Sequence, residues 1–357
     1  MRSRDSLPSD VHLWFCLKRC RGRVRQQLSR HFLYGLFGRQ LRGLWSLMKP
    51  TVTIGTRGSK LALWQANWVK SLLLETNPGI AIDTHVIKTQ GDKILDVPLA
   101  KVGGKGLFVK EIEQAMLSGD IDLAVHSMKD MPADIPAGLQ IAAIPQRETP
   151  HDVLIATRGR RLAALPAGAL IGTSSLRRSA QLLALRPDLT IVPLRGNLDT
   201  RLKKLDAGQM DAIVLAAAGV KRLGLAKRIT EVFDEQIMLP AVGQGALCIE
   251  TRGRDDATTS LVAPLEDGAT RTVVSGERAF LNRLQGGCQV PVAAHGKLWG
   301  NRFTLQGLVA SIDGKQVIRE QLSGSAHDSR QVGLDLAERL LGRGADAILE
   351  SIMTHAI

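Results

Sequence analysis

The sequence predicts an α/β protein that ends in a separate α+β module, and three observations support this prediction. Between residues 51 and 250, short apolar runs bounded by Gly, Pro or Asp alternate with helical stretches, which is typical of α/β domains with parallel sheets. Beyond residue 268 the order changes to one helix, three strand-like runs and two amphipathic stretches. The length of 357 residues suits two or three domains.

Periodicity divides the chain into elements. Apolar or alternating runs predict strands at 51–56, 80–87, 121–127, 139–144, 152–157, 168–173, 189–194, 211–217 and 245–250. Helical spacing predicts helices at 59–76, 106–117, 175–185 and 198–207. The last module is predicted to have a helix at 270–284, strands at 291–298, 302–311 and 315–320, and amphipathic stretches at 329–342 and 344–354. Pro145 and Pro150 flank the segment Gln146-Arg147-Glu148, whose charges and prolines indicate a crossing between domains.

Composition excludes several classes of protein. Hydrophobic residues make up 44% and charged residues 23%, as in ordinary globular proteins, and no run of 18 apolar residues is present to cross a bilayer. Four cysteines cannot form a disulfide scaffold. Because the sequence has no C-x-x-C pair, a thiolate zinc site is not expected, and no metal is predicted.

The net charge of +13 is concentrated at the amino end. Residues 1–50 hold 11 basic and two acidic residues, a charge of +9, which leaves +4 for the other 307 residues. Six of the 13 aromatic residues also precede residue 51. A protein that stacks nucleic-acid bases needs aromatics within a basic surface, so the rest of the chain is not expected to bind nucleic acid.

The basic segment 1–50 has several interpretations. Its apolar stretch 11–17 is short and is followed by basic residues rather than by a small-residue cleavage site, which argues against a secretory signal. Residues 31–48 have the helical spacing of an organellar transit helix or a membrane-surface helix. The interpretation we favour is that translation starts at Met48 and that the protein is cytoplasmic.

Candidate functional residues lie where predicted strands end, because ligands of open α/β sheets bind at the carboxyl ends of strands. Basic residues accompany Gly, Ser or Thr at five such ends: 54–60, 126–130, 172–179, 194–201 and 216–222. Guanidinium groups pair with carboxylates or phosphates through two parallel hydrogen bonds. The five ends together predict a cleft for several oxyanions, whereas each one alone also fits a capped helix or a solvated turn.

Three glycine-containing loops were compared with known types of site. Residues 102–106 lack the spacing of a P-loop and residues 242–245 do not fit a dinucleotide fingerprint, so no nucleotide is predicted. The first loop is interpreted as a mobile lid. Cys288 follows two glycines between a helix and a strand, where it is either an incidental thiol or a nucleophile. No local signature supports a cysteine protease.

Six segments, taken together and in this order, resemble one family, hydroxymethylbilane synthase, also called porphobilinogen deaminase. They are 100–108, 125–130, 172–178, 194–197, 239–245 and 286–288, and the resemblance runs from about residue 54 to the carboxyl end. It implies a transferase of porphyrin and haem biosynthesis that joins four porphobilinogen molecules head to tail, releases ammonia each time, and frees hydroxymethylbilane with water. It also implies a dipyrromethane primer attached to Cys288 as a thioether.

The resemblance also implies roles for single residues. Asp130 matches the catalytic acid, which would hydrogen-bond pyrrole N–H groups and stabilise a cationic azafulvene-like species. The positions that match the family's carboxylate-binding residues are Arg57, Ser59, Ser127, Lys129, Thr173, Ser175, Arg177, Arg178, Arg195, Arg201 and Arg222. The positions that match the lid are Lys101, Gly103, Gly104, Lys105, Gly106 and Phe108.

The implied fold has two periplasmic-binding-protein-like (type II) domains and a carboxy-terminal α+β domain that carries the cofactor. The first domain would take residues 51–145 and 241–263, the second residues 150–240, and the third residues 268–357. The active cleft would lie between the first two domains.

One competing hypothesis belongs to another class of protein. A non-catalytic binding protein of the periplasmic type, with a polycarboxylate ligand, accounts for the arginines but not for Cys288 or Asp130. For the enzyme, the expected partner is porphobilinogen, with no nucleic acid and no membrane. A monomer is expected, because no apolar surface stripe remains unexplained.

Overall fold

The computed structural model describes residues 51–93, 106–132, 134–285 and 290–355. Sequence predictions made for residues 1–50, for Lys101, Gly103, Gly104 and Lys105, and for Cys288 lie outside these ranges. Within them, alternating strands and helices are followed by an α+β module, which confirms the predicted fold class. No helix in the described part of the chain is long and apolar enough to span a bilayer.

The first sheet has five strands in the order β2-β1-β3-β10-β4. β1 runs parallel to β2 and β3, whereas β10 is antiparallel to its neighbours β3 and β4. Side chains such as Ile54 and Leu123 are fully buried between the sheet and its helices. The strands are β1 (Thr51–Thr56), β2 (Ala81–Val86), β3 (Leu123–Ser127), β4 (Leu139–Ala143) and β10 (Leu247–Arg252).

The second sheet repeats this arrangement, in the order β7-β6-β8-β5-β9. β6 runs parallel to β7 and β8, and β5 is antiparallel to β8 and β9. The strands are β5 (Asp152–Ala156), β6 (Leu170–Gly172), β7 (Thr190–Val192), β8 (Ala212–Ala216) and β9 (Glu231–Val232). β5 and β10 occupy equivalent positions, because each is the fourth strand in its sheet's order.

The reversed strands correct one prediction, because the alternation of strands and helices predicted parallel sheets and both sheets are mixed. Each reversed strand follows a segment that passes from one sheet to the other. These are the first crossing segment, residues 144–151, and the second crossing segment, residues 233–246. A strand that enters from the neighbouring sheet starts at the edge where the other strands end, so it runs the opposite way.

Helices cover the sheets, and several of them are capped by side chains that directly precede them in the sequence. Ser59 accepts a hydrogen bond from the N–H of Ala62 and Asn197 accepts one from Thr200, which satisfies free donors at each helix start. The helices are α1 (Lys60–Thr76), α2 (Gln90–Lys93), α3 (Lys110–Ser118), α4 (Leu176–Leu185), α5 (Leu198–Asp206), α6 (Ala217–Arg222) and α7 (Asp256–Val262).

Several short elements differ from the predictions. The helix predicted at 106–117 begins at Lys110, because residues 106–109 form a turn. Helices α2, α6 and α7 and strand β9 were not predicted. Each has seven residues or fewer, which is too short for periodicity to identify an element.

The carboxy-terminal module packs three helices on a three-stranded antiparallel sheet, β11-β12-β13. Phe280, Phe303 and Leu336 are fully buried in its core. Helices α8 and α9 approach closely, because a Cβ atom on Gly333 would lie 2.2 Å from the carbonyl oxygen of Gly276. The elements are α8 (Gly268–Arg283), β11 (Val292–Trp299), β12 (Arg302–Ala310), β13 (Val317–Ser325), α9 (Ser329–Leu340) and α10 (Asp346–His355).

Candidate functional site

Two cavities meet at Asp130, which lines both of them. The smaller cavity is open to solvent, encloses about 430 Å³ with its open part included, and is lined by Arg57, Ser59, Leu61, Ala62, Gln65, Phe108, Val109, Ile112, Val125, His126, Ser127 and Asp130. The larger cavity is also open, encloses about 900 Å³ on the same basis, and is lined by Lys129, Asp130, Ser174, Ser175, Arg177, Arg178, Arg195, Arg201, Ala241, Val242, Gln244, Leu281, Val290 and Val292. The structure therefore brings most of the predicted site residues to two adjoining spaces.

Asp130 is held in place by the short turn that follows β3. Met128, Lys129 and Asp130 form one turn of 3₁₀ helix, and Met128 is buried beneath it. The N–H of Met128 donates to the carbonyl of Ala246, at 3.0 Å. A Cβ atom on Gly243, whose φ is +68°, would lie 2.5 Å from the Met128 side chain. The turn is thus fixed against the second crossing segment.

Lys129 is partly buried and lies close to other positive charges. Its ammonium group donates to Oε1 of Gln244 at 3.3 Å, and the Gln244 amide donates to the carbonyl of Pro150 at 2.6 Å. Burial, and then the charge of Arg178, lower the pKa of Lys129 to about 8. A carboxylate ligand beside Lys129 would favour its charged form.

Asp152 is a buried carboxylate that sequence reasoning missed. Nη1 of Arg177 donates to its Oδ2 at 2.7 Å, and Nε of Arg178 donates to its Oδ1 at 2.9 Å. Burial alone would raise the pKa of Asp152, but the charges of Arg177 and Arg178 outweigh burial and hold that pKa well below its usual value. Arg177 and Arg178 therefore line the larger cavity with their guanidinium groups held by one shared carboxylate. The feature of the sequence that could have identified Asp152 is an acidic residue at the first position of an apolar strand.

Arg195 and Arg201 also line the larger cavity, around the start of α5. Nε of Arg201 donates to the carbonyl of Gly196 at 2.9 Å, and the φ of Gly196 is +107°. Burial, with the charges of Arg178 and Arg195, lowers the pKa of Arg201 to about 10. Burial also lowers the pKa of Arg195.

The hydroxyl side chains have structural partners as well as cavity positions. Ser59 and Ser175 cap α1 and α4, and Ser127 accepts a hydrogen bond from Nε2 of Gln65 at 3.0 Å. Thr173 accepts a hydrogen bond from the N–H of Ser175 at 3.2 Å. Thr173 is buried next to the larger cavity but is not among the residues that line it.

Arg57 and Phe108 lie together on one wall of the smaller cavity. The guanidinium carbon of Arg57 is 4.2 Å from the centroid of the Phe108 ring, a cation–π contact that orients the guanidinium. Gly106 precedes Phe108 in the described part of the predicted lid and has a φ of +82°.

Arg222 does not line either cavity. Its Nη2 donates to the carbonyl of Gly245 at 2.8 Å, and its guanidinium carbon lies 5.9 Å from the centroid of the Trp64 ring. Arg222 on α6 therefore contacts α1 and the second crossing segment.

The larger cavity has an excess of positive charge. Five basic residues, Lys129, Arg177, Arg178, Arg195 and Arg201, line it. Only two acidic residues balance these charges among the residues named here, Asp130 in the lining and Asp152 behind it. This balance suits a ligand that carries several carboxylates. No group of three or more His, Cys, Asp or Glu side chains within the described ranges is placed to hold a metal ion.

Cys288 lies outside the described residues, but its neighbours in sequence reach the larger cavity. Leu281 on α8 and Val290 and Val292 before and in β11 line that cavity. The chain between α8 and β11 therefore begins and ends at the cavity wall.

Two further buried polar contacts were also missed in the sequence. Glu277 on α8 binds Arg147 and accepts hydrogen bonds from the N–H groups of Gly243 and Gly296, at 2.7 and 2.9 Å. His126 and Glu250 form the second contact, in which Nε2 of His126 lies 3.0 Å from Oε2 of Glu250. No motif could have paired these residues, because more than 100 positions separate the partners in each pair.

The chain is similar to known proteins in both sequence and fold. Residues 52–260 match the family model described as "Porphobilinogen deaminase, dipyromethane cofactor binding domain". Residues 272–342 match the model described as "Porphobilinogen deaminase, C-terminal domain". Among solved structures, the periplasmic aliphatic sulphonate binding protein SsuA from Escherichia coli is 14% identical, with 67% of this chain and 71% of that chain covered and a TM-score of 0.37.

The matches to curated relatives cover almost the whole length of those relatives. A porphobilinogen deaminase of Syntrophotalea carbinolica is 58% identical over 306 residues, which are 86% of this chain and 97% of the relative. One of Nitratidesulfovibrio vulgaris is 56% identical over 310 residues, covering 85% of this chain and 98% of the relative. These matches, and a family model that spans more than half of the sequence, show that the chain belongs to the porphobilinogen deaminase family.

Proposed function

We propose that the chain is a hydroxymethylbilane synthase that condenses four porphobilinogen molecules head to tail and releases ammonia at each step. The observation that carries this function is the position of Asp130 between the two cavities. Positive charge develops on a pyrrolic methylene carbon when ammonia leaves. A carboxylate fixed at that point stabilises this charge without reorganising.

The larger cavity fits the dipyrromethane cofactor by its donor set. Each pyrrole ring carries an acetate and a propionate group, and the five basic residues of the cavity exceed the two carboxylates near it. Lys129, Arg177, Arg178, Arg195 and Arg201 would hold these groups, with Ser175 at the start of α4. The bound cofactor supplies the pyrrole carbon to which the chain is added. Cys288 would form the thioether to it.

The smaller cavity would bind the incoming porphobilinogen. Arg57 and Ser59 would bind its carboxylates, and Ser127 would contact the ring next to Asp130. Gln65 holds Ser127 in position. Phe108 and Gly106, with the rest of the predicted lid, would exclude water from this cavity.

Other residues and properties follow from the same proposal. Arg222 and Thr173 would act indirectly, Arg222 by holding the second crossing segment and Thr173 by fixing the start of α4. The two sheets would move as domains about the crossing segments, with residues 51–145 and 241–263 in one, 150–240 in the other and 268–357 in a third. The enzyme would work as a cytoplasmic monomer whose partner is porphobilinogen. It would bind neither nucleic acid nor a membrane.

A direct assay tests this function. The purified protein is incubated with porphobilinogen, and ammonia and the linear tetrapyrrole are measured together. The proposal predicts one hydroxymethylbilane for four ammonia molecules, and no turnover in Cys288→Ser. A protein that binds porphobilinogen without releasing ammonia would instead be the binding protein of the competing hypothesis.

A further inference from the structure

Helix α1 of the first sheet contacts helices α5 and α6 of the second sheet along one face. The ammonium group of Lys60 lies 2.7 Å from Oδ2 of Asp199 on α5. A Cβ atom on Gly219 of α6 would lie only 3.3 Å from Cδ2 of Leu61. Trp64, which is one turn beyond Lys60 and therefore on the same face of the helix, also contacts α6. These contacts join the two sheets at the start of α1, and the proposed roles do not use Lys60 or Asp199.

The position of Lys60 is unfavourable for its own helix. Lys60 is the first residue of α1, where the helix dipole favours an acidic side chain over a basic one, and the first turn of α1 contains no acid. Asp199 lies in the first turn of α5 and has the charge that suits that helix. The charge of Lys60 therefore serves the contact between the sheets rather than the stability of α1.

The ion pair connects the two groups of anion-binding residues. Lys60 directly follows Ser59 and is three residues from Arg57, and both of these line the smaller cavity. Asp199 is two residues before Arg201, which lines the larger cavity. The separation of α1 from α5 therefore sets the separation of the basic residues of one cavity from those of the other.

The proposed reaction requires this separation to change. Each condensation adds a ring with two carboxylates, so the chain held between the sheets grows from two rings to six. A contact that fixes the width of the cleft must then break during the cycle and form again after the product leaves. An exposed ion pair suits this requirement because it contributes little to stability, and the Lys60 side chain is 76% exposed.

We propose that the Lys60–Asp199 ion pair is a latch that holds the cleft at its present width during the first additions and opens as the chain lengthens. This inference rests on the proposed function. Lys60 and Asp199 are positioning residues, because they act through Arg57, Ser59 and Arg201 and bind no reacting atom. The latch thus determines how the rate is distributed over the four additions.

The sharpest test locks the latch in the holoenzyme. Lys60→Cys/Asp199→Cys is bridged with a short bismaleimide, and peptide mapping locates the bridge. The matched control is Asp206→Cys/Arg228→Cys, which replaces an ion pair that also involves α5 but lies wholly on the second sheet. Bridged and unbridged proteins receive excess porphobilinogen, and intact mass counts the rings that each one adds.

The proposal predicts that the bridged latch variant adds one or two rings, stops there and releases no hydroxymethylbilane. The bridged control completes all four additions, as do both unbridged proteins. A locked width stops only the late additions, because only these require the cleft to widen.

Neutral variants test the same latch without a bridge. Lys60→Gln and Asp199→Asn should each raise KM for the first addition by up to about fivefold, as the loss of an exposed ion pair allows. The last addition and the urea midpoint should stay unchanged. The double variant should show no more than the effect of one single variant, because the two side chains act as a pair.

A bridged latch variant that completes four additions at the rate of the bridged control would overturn the proposal. A bridged variant that makes no first addition would also overturn it, because the present width would then not be that of the early additions. If the bridge does not form, the neutral variants decide, and equal effects on all four additions would contradict a latch. A wild-type protein that adds no ring would overturn the proposed function, and the latch with it.

Discussion

Arg147 in the first crossing segment and Glu277 on α8 form a two-pronged ion pair, with N–O distances of 2.7 and 3.2 Å. Glu277 is fully buried, and its carboxylate also accepts the N–H of Gly243 in the second crossing segment. One carboxylate of the carboxy-terminal module thus binds both segments that join the two sheets. The geometry of the cleft depends on this module.

The first prediction concerns stability at this junction. Glu277→Gln leaves the Arg147 guanidinium buried without its counter-charge, so we expect a loss of about 3–5 kcal/mol in the free energy of unfolding. Urea denaturation measures it. The control is Glu338→Gln, which removes the exposed pair with Arg283 and should change stability by less than about 1 kcal/mol. Equal losses in both variants would show that the buried pair has no special role.

Asp152→Asn tests the carboxylate that holds Arg177 and Arg178 behind the larger cavity. Its effect on the free energy of unfolding should depend on pH. The pKa of Asp152 is held below its ordinary value, so the carboxylate contributes stability above its unfolded pKa of about 3.9 and loses it as pH falls further. We expect the stability gap between wild type and Asp152→Asn to stay constant from pH 7 to about pH 4 and to narrow in stronger acid. A gap that narrows near neutral pH would contradict this account.

Uptake of the cofactor by the cofactor-free protein should depend on the charge of Lys129, whose pKa is about 8 because of burial and Arg178. Since the ammonium group of the cofactor-free protein is lost as pH rises through that value, the amount of dipyrromethane that this protein acquires from porphobilinogen should fall above about pH 8. In Lys129→Gln the uptake should be lower at lower pH and should lose this dependence. Lys221→Gln, at an exposed ion pair with Glu148, serves as the control. Intact mass after incubation with porphobilinogen across pH distinguishes the variants.

Asp130→Asn should keep the fold and lose the reaction. The amide has the same shape but no negative charge for the developing cation, so we expect kcat to fall at least about 10²-fold. Asp134→Asn, a few residues further along the chain, should retain activity. Rapid quench with porphobilinogen gives the rate, and circular dichroism checks the fold. A kcat within a few-fold of wild type would remove Asp130 from the proposed mechanism.

The sequence predicted the parts of the site that local pattern encodes. Asp130, Arg177 and Arg195 follow predicted strands, and strand ends gather at one edge of a sheet, so their assembly was expected. Asp152 and Glu277 were not found. Their partners lie 25 and 130 positions away, and a buried acid inside an apolar run has no local signature. The directions of β5 and β10 were predicted wrongly for the same reason, because the sequences of these strands look like any other apolar run.

Covalent attachment of a dipyrromethane to Cys288 is the central requirement of the proposed function. The intact mass of the purified recombinant protein, with peptide mapping, measures it. We expect a mass excess equal to one dipyrromethane on the peptide that contains Cys288, and its absence in Cys288→Ser. A folded wild-type protein whose Cys288 is unmodified, and stays so after incubation with porphobilinogen, would contradict the account.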